Sequence, residues 1–173
     1  KISNMETKEL ASLSAEPCEG SSFIMTAFEV DDEGSGMDAF REREEEFKLS
    51  MVPYESLEGT PDPASECGML CEASTDAEYI KQWGQERFDD EYTKRGLSTI
   101  WGWGQDSGLR PCGAYLRHCA LAAQRLGEPA HQSFLDDTVL VDRKTTIRSY
   151  LEAHPEVMEL RIEDPALRER YSG

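Results

Sequence analysis

The stretch that decides the fold is PCGAYLRHCALAAQRLG, residues 111–127. Pro111 suits the first turn of a helix, where no N–H is needed, and Gly127 suits the turn that stops one. Between them, apolar and small side chains leave little room for a polar face. We therefore predict a helix here that forms the centre of the core. The side chains expected in that core are Tyr115, Leu116, Cys119 and Leu126.

Helices are also predicted on both sides of this stretch. Thr75-Asp76-Ala77-Glu78 is a capping box, which opens a helix expected to end at Arg95-Gly96. Shorter helices are expected around Ile147 and from Asp164 onward. The predicted fold class is therefore mainly α, with a small irregular domain of three to four helices at residues 75–173 and at most a short strand pair.

Residues 1–74 have the composition of a long, largely irregular acidic arm rather than of a domain. One helix is predicted within it, at residues 37–50, with Phe40 and Phe47 among its few apolar anchors. The charged run at residues 41–46 is typical of a solvated helix face. Such a segment cannot bury enough apolar surface to offset the entropy of ordering. We therefore expect a larger partner surface to hold the arm in place.

The net charge of −17 is unevenly distributed. Residues 1–95 carry 9 Lys/Arg against 24 Asp/Glu, which gives −15, whereas residues 96–173 carry 9 against 11, which gives −2. An acidic half repels phosphate backbones and anionic bilayers, so nucleic-acid binding is disfavoured and other protein subunits with basic surfaces are the expected partners. The other interpretation is that the acidity serves solubility alone.

No apolar run approaches the roughly 20 residues of a transmembrane helix. The chain begins with Lys1 rather than Met. An imported organellar protein that has lost a leader fits this start, in a plastid or alternatively a mitochondrion, and so does simple trimming.

An odd number of cysteines, five, does not predict a disulfide framework. Reduced thiols are expected, with a redox-sensitive bridge between Cys67 and Cys71 as the alternative.

The sharpest local pattern is Asp-Asp-Glu-Gly-Ser-Gly at residues 31–36, followed by Glu42. This pattern resembles the calcium loop of EF-hand proteins, with the sharp turn at Gly36. The ligand positions implied by the resemblance are Asp31, Glu33, Ser35 and Glu42. The resemblance implies a calcium-binding regulatory module at residues 31–42. The alternative interpretation is an acidic turn that precedes a helix.

Catalytic patterns are scarce in this sequence. There is no G-x-S-x-G, no P-loop and no dinucleotide fingerprint, so we predict no enzyme activity and no catalytic residues. One alternative is a small enzyme with an acid–base or metal site at His131, Asp136 and Asp137. The alternative cofactors are calcium and a pigment ligated by a histidine.

The function predicted from these features is that of a non-catalytic accessory or docking subunit of a large organellar assembly. A position peripheral to a photosynthetic membrane complex is expected, although nothing in the sequence discriminates this from a respiratory complex. Aromatic side chains are enriched in binding hot spots. The residues predicted to bind the partner are Phe23, Phe28, Phe40, Phe47, Trp101 and Trp103. The two tryptophans could instead form a lid over the helical core.

Overall fold

The computed structural model describes residues 5–30, 36–57 and 67–171, and these residues form a mixed fold of helices and strands rather than a purely helical one. The described residues contain the α-helices α1 (Gly36–Arg43), α2 (Asp76–Trp83), α3 (Gln85–Glu91), α4 (Gly113–Arg125), α5 (Glu128–Asp137), α6 (Ile147–Ala153), α7 (Glu156–Glu159) and α8 (Pro165–Arg170), with a 3-10 helix at Thr93–Arg95. The strands are β1 (Glu9–Ala11), β2 (Lys48–Pro53), β3 (Cys67–Glu72) and β4 (Arg110–Pro111). None of the helices in the described part of the chain has both the length and the apolar character needed to cross a bilayer.

The described residues form two compact units that alternate along the chain. The first, called unit 1, contains residues 5–13, 19–25 and 103–171. The second, called unit 2, contains residues 14–18, 26–30, 36–57 and 67–102. This division differs from a single boundary after residue 74. The boundary after residue 74 was predicted from composition. The two units are instead defined by contacts between residues that are distant in sequence.

The core of unit 1 lies where α4 packs against α5 and α7, and α5 against α6. Leu116 of α4 is 3% exposed and lies at its centre. The other buried members of this cluster are Leu135, Ile147, Tyr150 and Val157. Arg117 ties α4 to α7, since its Nε donates to the Met158 carbonyl at 3.2 Å. The predicted role of α4 as the centre of this core is therefore supported.

The ends of α4 differ from the sequence prediction in detail. Pro111 precedes the helix and lies in β4, which pairs in parallel with β1. The Cys112 N–H donates to the Ala11 carbonyl at 2.9 Å, and the helix starts only after it. At the other end, Gly127 stops the helix with φ of 109°. Leu126 is 59% exposed, so the expectation that it is buried was wrong: it follows the last helical turn, and the described residues leave most of its side chain open to solvent.

The N-cap half of the predicted capping box is confirmed in unit 2, and the Glu78 carboxylate accepts from the Ser74 hydroxyl at 3.1 Å. The Thr75 hydroxyl accepts a hydrogen bond from the Glu78 N–H at 3.1 Å and opens α2. The helix expected to run on to residue 95 is interrupted at Gly84, whose φ of 92° is accessible mainly to glycine. The chain restarts as α3 and finally stops at Gly96, which adopts the predicted left-handed conformation with φ of 87°.

The helix predicted at residues 37–50 is confirmed only in its first part. It ends at Arg43, and a turn follows in which the Phe47 N–H donates to the Glu44 carbonyl at 3.0 Å. From Lys48 the chain is a strand, because β2 pairs antiparallel with β3 over six residue pairs. The hydrogen-bonded pairing of β2 with β3, about twenty residues farther along the chain, outweighs the helix propensity of residues 48–50. This is a common outcome where local propensities are weak.

Leu116→Ala should destabilise unit 1 by about 2–5 kcal/mol, because it leaves a cavity among side chains that are already packed. Leu126→Ala is the matched control, with the same atoms removed from an exposed position that directly follows the same helix. Its effect should stay below about 0.5 kcal/mol. Urea unfolding of both variants measures the difference. Equal losses would show that α4 does not present Leu116 to the core.

Candidate docking surfaces

Residues Glu44–Glu46, named here the acidic turn, are enclosed by aromatic side chains of unit 2. The Trp83 indole N–H donates to the Glu45 carbonyl at 3.1 Å, and the Trp101 indole N–H donates to the Glu46 carbonyl at 2.9 Å. Two bulky indoles thus satisfy two consecutive backbone acceptors. The turn is held by groups from two different parts of the chain.

The carboxylates of the acidic turn also have donors. The Tyr79 hydroxyl donates to Glu45 Oε1 at 3.1 Å, and the Tyr92 hydroxyl donates to Glu46 Oε1 at 2.8 Å. The second oxygen of Glu45 is paired with the Arg87 guanidinium. The Glu45 side chain is only 13% exposed, so these charges are not on a solvated face as the sequence suggested. A carboxylate this far from water is stable only with such partners.

Burial and the nearby carboxylates change the acidity of the phenols. Burial first, and then the charge of Glu46, raise the pKa of Tyr92. Burial and the charge of Glu45 raise the pKa of Tyr79 in the same way. Both phenols therefore stay neutral and keep the proton that they donate.

Trp101 is fixed by a loop that wraps around Asp76 of α2. Asp76 Oδ1 accepts from the N–H groups of Ile100 and Trp101, both at 2.9 Å. The other oxygen accepts from the Thr99 hydroxyl at 2.5 Å. The Trp101 ring meets Phe47 edge-on, with centroids 5.6 Å apart. Trp101 thus closes over the acidic turn, whereas the lid considered from sequence was one that both tryptophans form over the helical core.

The aromatic residues predicted to bind a partner fall into two groups. Phe47 and Trp101 contact each other inside unit 2, and Phe40 is half-buried beneath the Arg43 guanidinium, 5.5 Å from its ring centroid. Phe23 and Phe28 are 51% and 70% exposed, in a stretch without regular structure. Trp103 is half-buried.

The stretch with the exposed phenylalanines is anchored next to Phe23. The Ile24 N–H donates to the Ser133 hydroxyl of α5 at 3.0 Å, and that hydroxyl donates to Asp137 at 2.7 Å. Ser133 is 8% exposed. This buried polar contact fixes the backbone at Ile24, so that Phe23 and the 37%-exposed Met25 on either side present apolar surface to solvent.

Three of the four predicted calcium ligands fall outside the described residues, namely Asp31, Glu33 and Ser35. Glu42, which would supply the bidentate ligand, lies in α1 with its side chain 69% exposed and 3.9 Å from the Arg87 guanidinium. The segment before the loop, residues 21–30, has no helix. EF-hand geometry requires an entering helix there. The calcium site stays a prediction from the sequence.

The acid–base cluster predicted at α5 has other partners. Both oxygens of Asp136 accept from the Arg148 guanidinium, at 2.6 and 2.7 Å, and this contact lowers the pKa of Asp136. Asp137 accepts from Ser133. His131 is half-buried, five and six residues before the two carboxylates on the same helix. In the described residues, no three His, Cys, Asp or Glu side chains come together as a set that could hold a metal ion.

One face of the β2–β3 hairpin carries only apolar and sulfur-containing side chains, a feature that sequence reasoning missed. In the antiparallel register Leu49 faces Cys71, Met51 faces Met69 and Pro53 faces Cys67. We call this set the sulfur face. Met51 and Met69 are 62% and 39% exposed. The period-2 pattern C-G-M-L-C could have revealed it, had it been interpreted as a strand.

The same register bears on the alternative disulfide. Cys67 and Cys71 lie four residues apart in one strand, a separation of about 13 Å, whereas a disulfide needs Cα atoms within about 7 Å. Both thiols are free in the structure. Burial, followed by the charge of Glu44, raises the pKa of Cys71. A bridge between them would require β3 to unfold.

No protein-family model matches this sequence, and neither a curated protein nor a solved structure shows significant similarity to it.

Trp101→Phe should destabilise unit 2 by about 1–3 kcal/mol, because it leaves the Glu46 carbonyl without its donor. Trp103→Phe is the matched control, because it removes the same atoms from a tryptophan whose indole donates to none of the described residues. Chemical denaturation followed by fluorescence measures both. A loss for Trp103→Phe as large as that for Trp101→Phe would argue against the indole donor as the cause.

Stability should fall at high pH because of Tyr92. A phenol whose pKa is raised in the folded state contributes stability that is fully present below the unfolded value, about 10, and is lost as pH rises toward the folded value. The free energy of unfolding should therefore decrease above about pH 10. In Tyr92→Phe the decrease should be less steep. Urea midpoints between pH 8 and 11 test this, and an unchanged pH dependence would contradict it.

Proposed function

We propose that this chain is a non-catalytic docking subunit, which binds a Lys/Arg-rich surface of a larger protein assembly. The observation that carries this proposal is the exposure of Phe23 and Phe28, at 51% and 70%, in one stretch without regular structure. Single exposed apolar residues are ordinary, but Phe23, Met25 and Phe28 lie within six residues of each other. Clustered aromatic and Met side chains are the composition of interface cores.

The backbone beside Phe23 is already fixed before binding. The contact of Ile24 with the buried Ser133 fixes the chain beside Phe23 before any partner arrives. Less ordering entropy then remains to be lost on association. The saving in ordering entropy is larger for Phe23, which is next to the anchored Ile24, than for Phe28, which lies four residues beyond Ile24.

Charge selects the chemistry of the partner. Glu19 and Glu29 are both exposed and lie on either side of the apolar stretch. They belong to the part of the chain, residues 1–95, with a net charge of −15. A basic surface would be attracted over about 10 Å at 0.1 M salt, which accelerates encounter more than it strengthens the complex. The apolar side chains would supply most of the binding free energy.

The identity of the assembly is a further part of this proposal. We place it in an organelle, a plastid with a mitochondrion as the alternative, at the periphery of a photosynthetic membrane complex. A pigment would need a histidine ligand. Of the candidate histidines, His131 is half-buried, and the ring of His154 contacts the Glu156 carboxylate at 3.1 Å. Fluorescence imaging of the full-length protein in intact cells tests the compartment, and a cytosolic signal would contradict it.

Phe23→Ser combined with Phe28→Ser should abolish co-sedimentation with the assembly after gentle extraction, because the apolar anchors are lost. Quantitative mass spectrometry of the same fractions measures the loss. Leu126→Ser is the matched control, since Leu126 is 59% exposed but lies in the near-neutral half of the chain. It should leave co-sedimentation unchanged.

The salt concentration distinguishes the electrostatic contribution to binding from the apolar contribution. Higher salt should slow association of the wild-type chain with the isolated assembly and change dissociation little, whereas the phenylalanine variant should mainly dissociate faster. Surface-based kinetics measure both rates. Association that does not respond to salt would mean that the acidity serves solubility alone. Equal losses in the variant and in the Leu126 control would contradict the docking site.

A further inference from the structure

Four sulfur atoms lie on one side of a two-stranded ribbon in unit 2. Cys67, Met69 and Cys71 alternate along β3 and so point to the same face, and Met51 is paired directly with Met69 across the ladder. Directly paired side chains have Cβ atoms about 4.5–5.5 Å apart. Cys71 lies one step along the strand, about 6.6 Å from Met69.

We propose that this face binds a single soft monovalent metal ion, Cu(I), through Met51, Met69 and Cys71. Methionine is unbranched, with three rotatable bonds, so two thioethers on adjacent strands can turn toward one point beside the thiol. Thioether and thiolate ligands select Cu(I). Zinc sites use thiolate, imidazole and carboxylate ligands instead, and two of these three sulfurs are thioethers.

Cys71 is assigned as the thiolate ligand because of its surroundings. It is half-buried and faces Leu49 across the ladder, whereas Cys67 is exposed and faces Pro53. Partial burial limits the access of water and oxidants to the ion, and the charges of Glu44 and Arg43 also act on this thiol. Cys67 and Cys71, about 13 Å apart, cannot both bind the same ion.

The chemistry is a ligand exchange without electron transfer. Cu(I) replaces the proton of the Cys71 thiol, which passes to water, and the thioether sulfurs donate lone pairs without losing any atom. The oxidation state of the metal does not change. One positive charge enters and one leaves, so the site keeps its net charge.

The experiment adds Cu(I), as its acetonitrile complex, to the reduced full chain without oxygen, in competition with a chromophoric Cu(I) chelator. One equivalent should be held by the wild-type protein. Cys71→Ser, and Met51→Leu combined with Met69→Leu, should each weaken binding by on the order of tenfold or more. Leucine conserves volume at two exposed positions, so circular dichroism should show the fold retained.

Two control variants remove sulfur elsewhere. Cys18→Ser removes an exposed thiol and Met25→Leu a partly exposed thioether, both outside the sulfur face, and both should bind as the wild type does. X-ray absorption of the loaded chain should show sulfur ligands only. Wild-type binding no tighter than that of the double methionine variant would overturn the site. Loss of binding in Cys67→Ser with retention in Cys71→Ser would overturn the assigned ligands.

Discussion

Unit 2 depends on the enclosure of a negatively charged turn. A carboxylate removed from water is costly unless donors replace the solvent, and Glu45 is 13% exposed. Its donors are Tyr79 of α2 and Arg87 of α3. Because no single element can supply them all, the helices and the turn stabilise each other only when they are assembled. Residues 36–57, which composition assigns to an arm, therefore belong to the compact unit 2.

This enclosure changes how the acidic composition should be interpreted. A count of Asp and Glu treats every carboxylate as available for long-range attraction, but Glu45 and Glu46 are neutralised or hydrogen-bonded locally. Asp90 and Glu91 are likewise paired with Lys94 and Arg95 one helical turn away. The charges that a partner would encounter are the exposed ones, such as Glu29 beside Phe28. The positions of the exposed carboxylates, and not only the net charge of residues 1–95, therefore determine the attraction of a basic partner.

Local signals in the sequence were sufficient for parts of the helical structure. The capping box at Thr75, the stop at Gly96 and the apolar pattern around Leu116 depend on residues within one or two turns. The acidic turn could not be predicted in this way, because the two indoles that hold it lie 38 and 55 residues farther along the chain. Nothing local distinguishes an enclosed glutamate from a solvated one.

The strands were harder to predict for a different reason. In β3, Cys67, Met69 and Cys71 alternate with a period of two along the strand. A strand is usually identified from the sequence by an apolar face that becomes buried, but Met69 on this face of β3 is exposed. The pairing of Met51 with Met69 depends on the register of the ladder, which a single sequence does not specify. The aromatic candidates show the same limitation: Phe28 and Phe47 have the same chemistry, and only tertiary contacts separate the exposed ring from the enclosed one.

Charge also explains how a metal site can coexist with an apolar surface in so acidic a chain. A Ca²⁺ or Zn²⁺ site relies on several carboxylates or thiolates, whose mutual repulsion adds to an existing negative charge. One thiolate and two neutral thioethers around Cu(I) give a complex with no net charge. The sulfur face would thus remain apolar whether occupied or empty, and metal binding would not depend on the salt that controls docking through Glu19 and Glu29. A change in salt concentration should therefore affect docking more than metal binding, although both proposed sites lie within residues 1–95.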